Sequence, residues 1–494
     1  MTTASAKRWL PAVCWLAILA LCVLRFCFLT ADFPNNSPWN ADQAKFTDEG
    51  WWASGAITHH LLGRWTVPGD YNPVVALPVW PGLLAALFHF TGVSIVATRA
   101  FNVALSIATL GIVYLLVRRY AVMRPQAFAV SPTATLCVLF LAASPFAFVY
   151  SRLATLETCI LLEFCLLLLL ASFAANSRVA LWVGVPIVVA AMVLTKTTAI
   201  VLLPAGGWMI WKALGGKFSG LWRACLAVGV IPALLFKLYV MFIVHRGFGP
   251  DYNYFFSENG QPDFAWSNTI SSVAAIFQSG LWIDRILYPM ALVALIASLM
   301  WMRKLWRNSL FSASAIALSG QAAFLFLRQG DIAPRYVFVM LVPMLFIVAL
   351  AVESITQRVV RNVALLVLGV AVGINVVMTG TFVHERRTEF FDAAQSMRAI
   401  VERDPAHNKL MLGVSAAQIS LMTGIPSIND AYGSQDLNAK VTRYQPGWYQ
   451  VWTGIGPDEQ VALSGFRIEE VARYNVFNDP DRRGLILYRL TPRK

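Results

Sequence analysis

About eleven stretches of apolar residues recur between Trp9 and Val383, each approaching the roughly 20 residues that cross a bilayer as a helix. In hydrocarbon every backbone N–H and C=O must be satisfied within the protein, so such a chain folds as spanning helices or as a closed barrel. These runs do not alternate apolar with polar residues, as barrel strands do, and the expectation is helical. Composition agrees. The 494 residues are 58% hydrophobic and 13% charged, where a soluble domain carries roughly 25% charged residues, and the mean hydropathy is +0.61. The chain reads as an all-α polytopic membrane protein with spans at about 9–29, 93–117, 130–150, 156–175, 179–194, 197–213, 224–244, 285–302, 310–327, 335–354 and 363–383.

The net charge of +13 does not point to nucleic acid, because the basic residues are spread among short loops. With the N-terminus inside, the cytoplasmic loops hold Arg118, Arg119, Arg124, Arg178, Lys212, Lys217, Arg223, Arg303, Lys304, Arg307, Arg358 and Arg361, with almost no acids. That is the positive-inside pattern. Asp42, Asp48, Glu49, Glu157, Asp251, Glu258, Asp263, Asp284 and Asp331 then face outside. Lys7 and Arg8 ahead of an apolar run resemble a signal peptide, but the run is long, contains Arg25 and lacks a small-x-small cleavage site. It reads as an uncleaved first span in which Arg25 snorkels to the interface. All seven cysteines lie in apolar segments and CxxC is absent, so no disulfide framework is written here.

An odd number of spans places the C-terminus outside. From His384 the chain turns polar, which divides it into a transmembrane domain, 1–383, and a small soluble α/β domain, 384–494. Strands are expected at Lys409–Val414, Val461–Phe466 and Leu485–Leu490, with a helix over Asp436–Tyr444 and a Gly/Pro-rich separator from Gly447 to Pro457. The first outer loop, 31–92, is too long for a simple connection. Thr47 or Asp48 caps a helix running to about Leu62, with Trp51, Trp52, Ile57, Leu61 and Leu62 lying on the bilayer surface. Val75–Phe90, broken by Pro78 and Pro81, reads as a second interfacial helix.

The candidate chemistry lies at the outer ends of the spans. Asp48 and Glu49 read either as favourable charges in a first helical turn or as a general base at the interface. Arg152 and Glu157, in SRLATLE, are either flanking charges or an anion contact and a second acidic site. Lys196, in LTKTTAI, and Arg335-Tyr336, in DIAPRYVF, either snorkel or meet a phosphate at the headgroup level. His59 and His60 are adjacent and so face apart on a helix, which makes them a poor metal pair. The loop His245–Asp284 carries Tyr252, Tyr254, Phe255, Phe256 and Trp266, for anchoring or for stacking on a sugar. Lys237, mid-span, is left open between a lipid phosphate and a cavity lining.

Jointly these residues define one plane suited to a substrate with an apolar tail and a phosphate. The pieces FTDEGWWASGAITHHLLG, VATRAFNVALSIATLGIVYLLVRR, SRLATLETCILLEFCLLLLLA, LTKTTAIVLLP and RYVFVMLVP, taken in order, resemble the GT-C class of membrane glycosyltransferases. Within that class the chain looks like the branch holding protein O-mannosyltransferases and lipid A aminoarabinose transferases. The resemblance spans about residues 9–383. It implies inverting transfer of a sugar from a polyprenyl-phosphate donor to an acceptor hydroxyl, outside the cytoplasmic membrane of a bacterium. Asp48 matches the first-loop base, Glu49 completes the acidic pair, and Glu157 stands where relatives often have Asp. Lys196, with Arg152, Arg335 and Tyr336, would hold the donor phosphate. No cofactor is required and a divalent metal is not indicated. The partners implied are the lipid-linked donor, a lipid, glycan or protein acceptor, and membrane lipids. A lipid flippase would place polar groups at the midplane and show repeated halves; no repeat is seen, and the ionisable residues gather at the outer interface, with Lys237 the exception. A non-catalytic assembly subunit would tolerate loss of Asp48.

Overall fold

The structure is a computed structural model that describes residues 3–32, 46–121, 131–259, 270, 271, 274, 284, 286–327, 334–430, 432–477 and 484–493. Asp42, Asp263, Asp331, Arg124 and Trp266 lie outside the described residues, as does the side chain of Glu258.

Each of the apolar runs forms helix. They are α1 (Thr3–Arg25), then, after α2 (Asp48–Leu62) and α3 (Val79–Thr91) of the first outer loop, α4 (Ile95–Tyr120). Next come α5 (Pro132–Ala143), α6 (Pro145–Arg152), α7 (Leu156–Ser172), α8 (Val185–Thr195) and α9 (Leu203–Ala213). The series continues with α10 (Phe218–Cys225), α11 (Ile231–His245), α12 (Gly249–Asn259), α13 (Leu287–Met300), α14 (Ser309–Leu327), α15 (Pro334–Phe338), α16 (Leu341–Ser354) and α17 (Arg358–His384). Among the described residues five helical stretches are long and apolar enough to cross a membrane, six if the bent pair α5–α6 counts as one. The other apolar helices are shorter, so the count of spans by length falls below the eleven apolar runs.

The bend of 63° between α5 and α6 has a local cause. Pro145 has no N–H to donate and disfavours helix at the residue before it. Ser144 therefore closes α5 and caps α6, accepting from Ala147 N at 3.2 Å. The break leaves the last carbonyls of α5 without helical partners. Arg25 supplies them: its Nη2 donates to Leu141 O at 2.7 Å and Ala142 O at 3.1 Å, and its Nη1 to Ser106 Oγ at 2.9 Å and Ser151 Oγ at 3.0 Å. Arg25 is fully buried and does not snorkel, because these acceptors hold both of its Nη groups inside the protein.

Beyond α17, α18 (Glu389–Arg403) leads into a mixed five-stranded sheet. It comprises β1 (Met411–Leu412), β2 (Ser427–Ile428), β3 (Trp448–Trp452), β4 (Phe466–Asn475) and β5 (Gly484–Pro492), with α19 (Ala416–Thr423), α20 (Leu437–Tyr444) and α21 (Pro457–Ala462) between strands. The order is β2-β1-β3-β5-β4. Strands β1, β2 and β3 run parallel, while β5 is antiparallel to both β3 and β4. The helix expected after Asp436 is present, with Asp436 Oδ1 accepting from Ala439 N at 2.7 Å. Two expectations change. The stretch taken as a Gly/Pro-rich separator contains β3, a central strand whose Trp448, Tyr449 and Trp452 are buried. The strand expected over Val461–Phe466 is instead the end of α21 followed by β4, since Pro457 at a first helical position starts a helix there.

The first outer loop and the C-terminal region share one hydrophobic core. Phe46, Ala53, Ile57, Trp80 and Phe88 pack in the same cluster as Phe390, Met397, Ile419, Trp448 and Trp452. Trp51 therefore does not lie on the bilayer: its indole donates to Val414 O at 3.2 Å and its ring meets Tyr71 and Tyr432 edge-on. Ile57 is buried too, whereas Leu62 at the far end of α2 is exposed. Asp70 adds a polar pin. It accepts from Asn429 N at 3.0 Å and lies 3.4 Å from the buried Lys440 Nζ. Burial pushes its carboxyl up to about 6 against the pull of Lys440, and lowers the Lys440 ammonium.

Candidate active site

Helix α2 begins with Thr47 at the N-cap position, but the Thr47 hydroxyl caps no backbone N–H; it donates to Asp48 Oδ1 at 3.2 Å. Asp48 and Glu49 follow in the first turn, where carboxylates oppose the positive end of the helix dipole. Consecutive helical residues point about 100° apart, so the two acids meet different walls.

Glu49, with no exposure, faces α4. Arg99 clamps it through both arms, Nε to Oε1 at 2.8 Å and Nη2 to Oε2 at 2.6 Å. Ala154 N donates to Oε1 at 2.8 Å and Gln418 Nε2 to Oε2 at 3.1 Å. Arg99 also donates to Leu29 O and Ala31 O, both at 2.7 Å. Every oxygen of Glu49 is occupied.

Asp48 faces the other way. Its Oδ2 lies 2.7 Å from Arg335 Nη1. Arg335, on the short helix α15, also sets its Nε 3.9 Å from Glu157 Oε1, and Lys196 Nζ approaches that same oxygen to 2.5 Å. Glu157 stands in the first turn of α7, and Lys196 in extended backbone where α8 ends and the 3-10 segment Thr197–Leu202 begins. Lys196 Nζ also sits 4.6 Å above the Tyr336 ring. Two carboxylates and two cations from four separate elements thus meet at the ends of α2, α7, α8 and α15. Asp48 and Glu157 are 3% and 2% exposed, a burial that charged groups tolerate only when paired. Glu157 Oε2 accepts no hydrogen bond from the described residues. A narrow cleft lies beside it, lined by Glu157, Lys196, Thr198, Gln321, Arg335 and Tyr336 together with Ile160, Leu202 and Val339.

The structure therefore brings together Asp48, Glu157, Lys196, Arg335 and Tyr336. It does not bring in Glu49, nor Arg152, whose Nη2 donates to Cys27 O at 2.7 Å and Phe28 O at 2.5 Å just past the end of α1. His59 stacks on Trp65 at 4.2 Å. Lys237 is exposed on α11 beside Leu234 and Leu238, away from the cleft. Tyr252 and Phe255 pack against the first outer loop and the C-terminal region rather than standing open. Among the described residues no three His, Cys, Asp or Glu side chains converge as a metal site.

Reading the sequence missed Arg99 and Gln418. Arg99 carries a signal: a lone arginine one turn inside a 26-residue apolar helix must have a buried partner. Gln418 carries none, since a glutamine in a short helix is ordinary.

Comparisons with known proteins bear on the fold. The sequence profile of the dolichyl-phosphate-mannose-protein mannosyltransferase family matches residues 73–241, a span holding Arg99, Arg152, Glu157 and Lys196 but neither Asp48 nor Arg335. The crystal structure of ArnT from Cupriavidus metallidurans in the apo state superposes with a TM-score of 0.62 at 16% identity, covering 98% of each chain. The same protein bound to undecaprenyl phosphate gives a TM-score of 0.60 at 14% identity, covering 96% of this chain and 97% of that one. No curated protein matches the sequence. The chain thus has the fold of ArnT and, across residues 73–241, the sequence pattern of the dolichyl-phosphate-mannose-protein mannosyltransferase family.

Proposed function

We propose that this protein transfers a sugar from a polyprenyl-phosphate donor to an acceptor hydroxyl, at the outer face of a bacterial cytoplasmic membrane. The observation that carries the reading is the meeting of Asp48, Arg335, Glu157 and Lys196 beside a cleft that both charged and apolar side chains line. The ArnT structure holding undecaprenyl phosphate supports the donor class.

Asp48 acts as general base, removing the proton from the acceptor hydroxyl. The acceptor oxygen attacks the anomeric carbon from the face opposite the phosphate, the bond from that carbon to the phosphate oxygen breaks, and polyprenyl phosphate leaves with the bonding pair. The configuration inverts. Lys196 and Arg335 stabilise the charge that grows on the departing phosphate, a role fixed cations fill at little reorganisation cost. Tyr336 supplies the ring on which Lys196 rests, and Glu157 holds both cations in place until the donor arrives. The eleven apolar runs are read as spans, with the N-terminus inside and the C-terminal region outside as a soluble domain.

The test uses purified full-length protein in lipid nanodiscs with a panel of polyprenyl-phosphate sugars and a membrane extract as acceptor source. Mass spectrometry follows the release of free polyprenyl phosphate. Consumption by wild type and not by Asp48→Asn is expected. Tight donor binding without consumption of any donor would overturn the reading in favour of a flippase or an assembly subunit.

A further inference from the structure

One side chain grips the acidic turn from the far end of the sequence. Gln418, on α19, is fully buried. Its Oε1 accepts from Gly50 N at 2.7 Å, and its Nε2 donates to Glu49 Oε2 at 3.1 Å. Both ends of the amide are thus spent on consecutive residues of the first turn of α2, and the residue just before them is Asp48. The orientation of the amide follows from its partners, because Gly50 N–H can only donate and the Glu49 carboxylate can only accept. Backbone contact is equally close. A Cβ at position 50 would lie 2.2 Å from Gln418 N and 2.3 Å from the Ala417 carbonyl carbon, so α19 seats there only against a glycine. On the opposite side Arg99 and Ala154 N hold Glu49. The turn carrying Asp48 is fixed between α4 and α19.

We infer that Gln418 is a positioning residue for sugar transfer: through Glu49 and Gly50 it sets the turn that aims Asp48 at the acceptor. The C-terminal region is then a working wall of the active site and not a cover laid over it. The inference rests on the reading of Asp48 as general base. A base displaced by about an ångström loses on the order of 10²-fold in rate, whereas donor affinity rests on Lys196 and Arg335, which Gln418 does not touch.

The experiment compares wild type, Gln418→Ala, Gln418→Glu and Gln395→Ala as full-length proteins in nanodiscs, using a donor that wild type consumes. Gln395 also bonds to α19, donating to Met422 O at 2.9 Å, but makes no bond to Glu49 or Gly50, and it serves as the structural control. Gln418→Ala is expected to lower kcat about 10- to 100-fold with the donor KM within about twofold. Gln418→Glu sets a second carboxylate against Glu49. It is expected to show the same loss and to move the acid limb of kcat/KM to higher pH, because added negative charge raises a neighbouring carboxyl pKa. Gln395→Ala should match wild type. Wild-type kcat in Gln418→Ala, or a loss that tracks only the amount of folded protein, would overturn the inference. If wild type consumes no donor, the proposed function fails by itself. Hydrogen exchange at the Gly50 and Trp51 amides then decides the positioning claim. Faster exchange in Gln418→Ala but not in Gln395→Ala is expected, and equal protection would sink it.

Discussion

Asp48 and Glu49 are neighbours in sequence and share a helical turn, yet they end in unlike surroundings. Glu49 is enclosed by a bidentate arginine, a backbone N–H and an amide, and has no capacity left. Asp48 meets Arg335, itself shared with Glu157 and adjoining a cleft. The Glu49 cluster is closed and joins four parts of the chain: the first outer loop, α4, the turn between α6 and α7, and α19. The cluster around Asp48 is open on one side, and its cations suit an incoming phosphate. Two identical charges in adjacent positions thus end in a closed cluster and beside a cleft respectively, because a helix turns them toward different neighbours.

The contrast can be broken most severely at Asp48. Asp48→Asn keeps the shape but removes the base, and donor turnover should fall by about 10²- to 10⁴-fold, while the melting temperature in nanodiscs stays near wild type. Glu49→Ala should do the reverse. It leaves the buried Arg99 without its carboxylate, a loss of about 3–5 kcal/mol for a broken buried pair, read as a large drop in melting temperature and in yield from the membrane. If Glu49→Ala were stable and only slow, the division of labour would be wrong.

Lys196 and Arg152 sharpen the comparison among the cations. Lys196→Ala should raise the donor KM about 10- to 100-fold, the worth of a charged hydrogen bond, with a smaller effect on kcat. Arg152→Ala should leave the donor KM unchanged, since its guanidinium is engaged with Cys27 O and Phe28 O. Steady-state kinetics on the two variants side by side would reveal a shared phosphate site if both KM values rose.

The smallest effect expected is a pH dependence of docking between the first outer loop and the C-terminal region. Asp32 accepts from Phe390 N at 2.9 Å, yet burial prevails over this bond and pushes its carboxyl up to about 7. A carboxyl raised on folding contributes stability at low pH and loses it as pH rises through about 7. Wild type should therefore melt at a lower temperature at pH 8 than at pH 5.5, and Asp32→Asn should flatten that difference. An unchanged slope in Asp32→Asn would assign the pH dependence elsewhere, with Asp70 the next group to vary.

Much of the site was legible because its members stand at helix ends. Asp48 and Glu157 occupy first turns, and Lys196 and Arg335 occupy breaks between apolar helices. Such places are readable from hydropathy and from local charge. Arg152 occupies the same kind of place and still falls outside the cluster, because carbonyls beyond α1 capture it first. Arg25 was misread for a related reason: the break at Ser144–Pro145 exposes carbonyls that no pattern in the first span announces. In the C-terminal region, β3 was hidden by flanking glycines and prolines that mark turns without forbidding a strand between them.

The sequence by itself determined the helical membrane architecture and the start of α2 at the acidic pair. Those follow from constraints acting within a few turns of chain, chiefly the need to satisfy every backbone polar group in hydrocarbon. Only the tertiary structure decided which acid meets which cation. Arg99 and Glu49 are 50 residues apart, Ala154 and Glu49 105, and Gln418 and Glu49 369. A buried charge is stable only beside its partner, and no local pattern records a partner that arrives from so far along the chain.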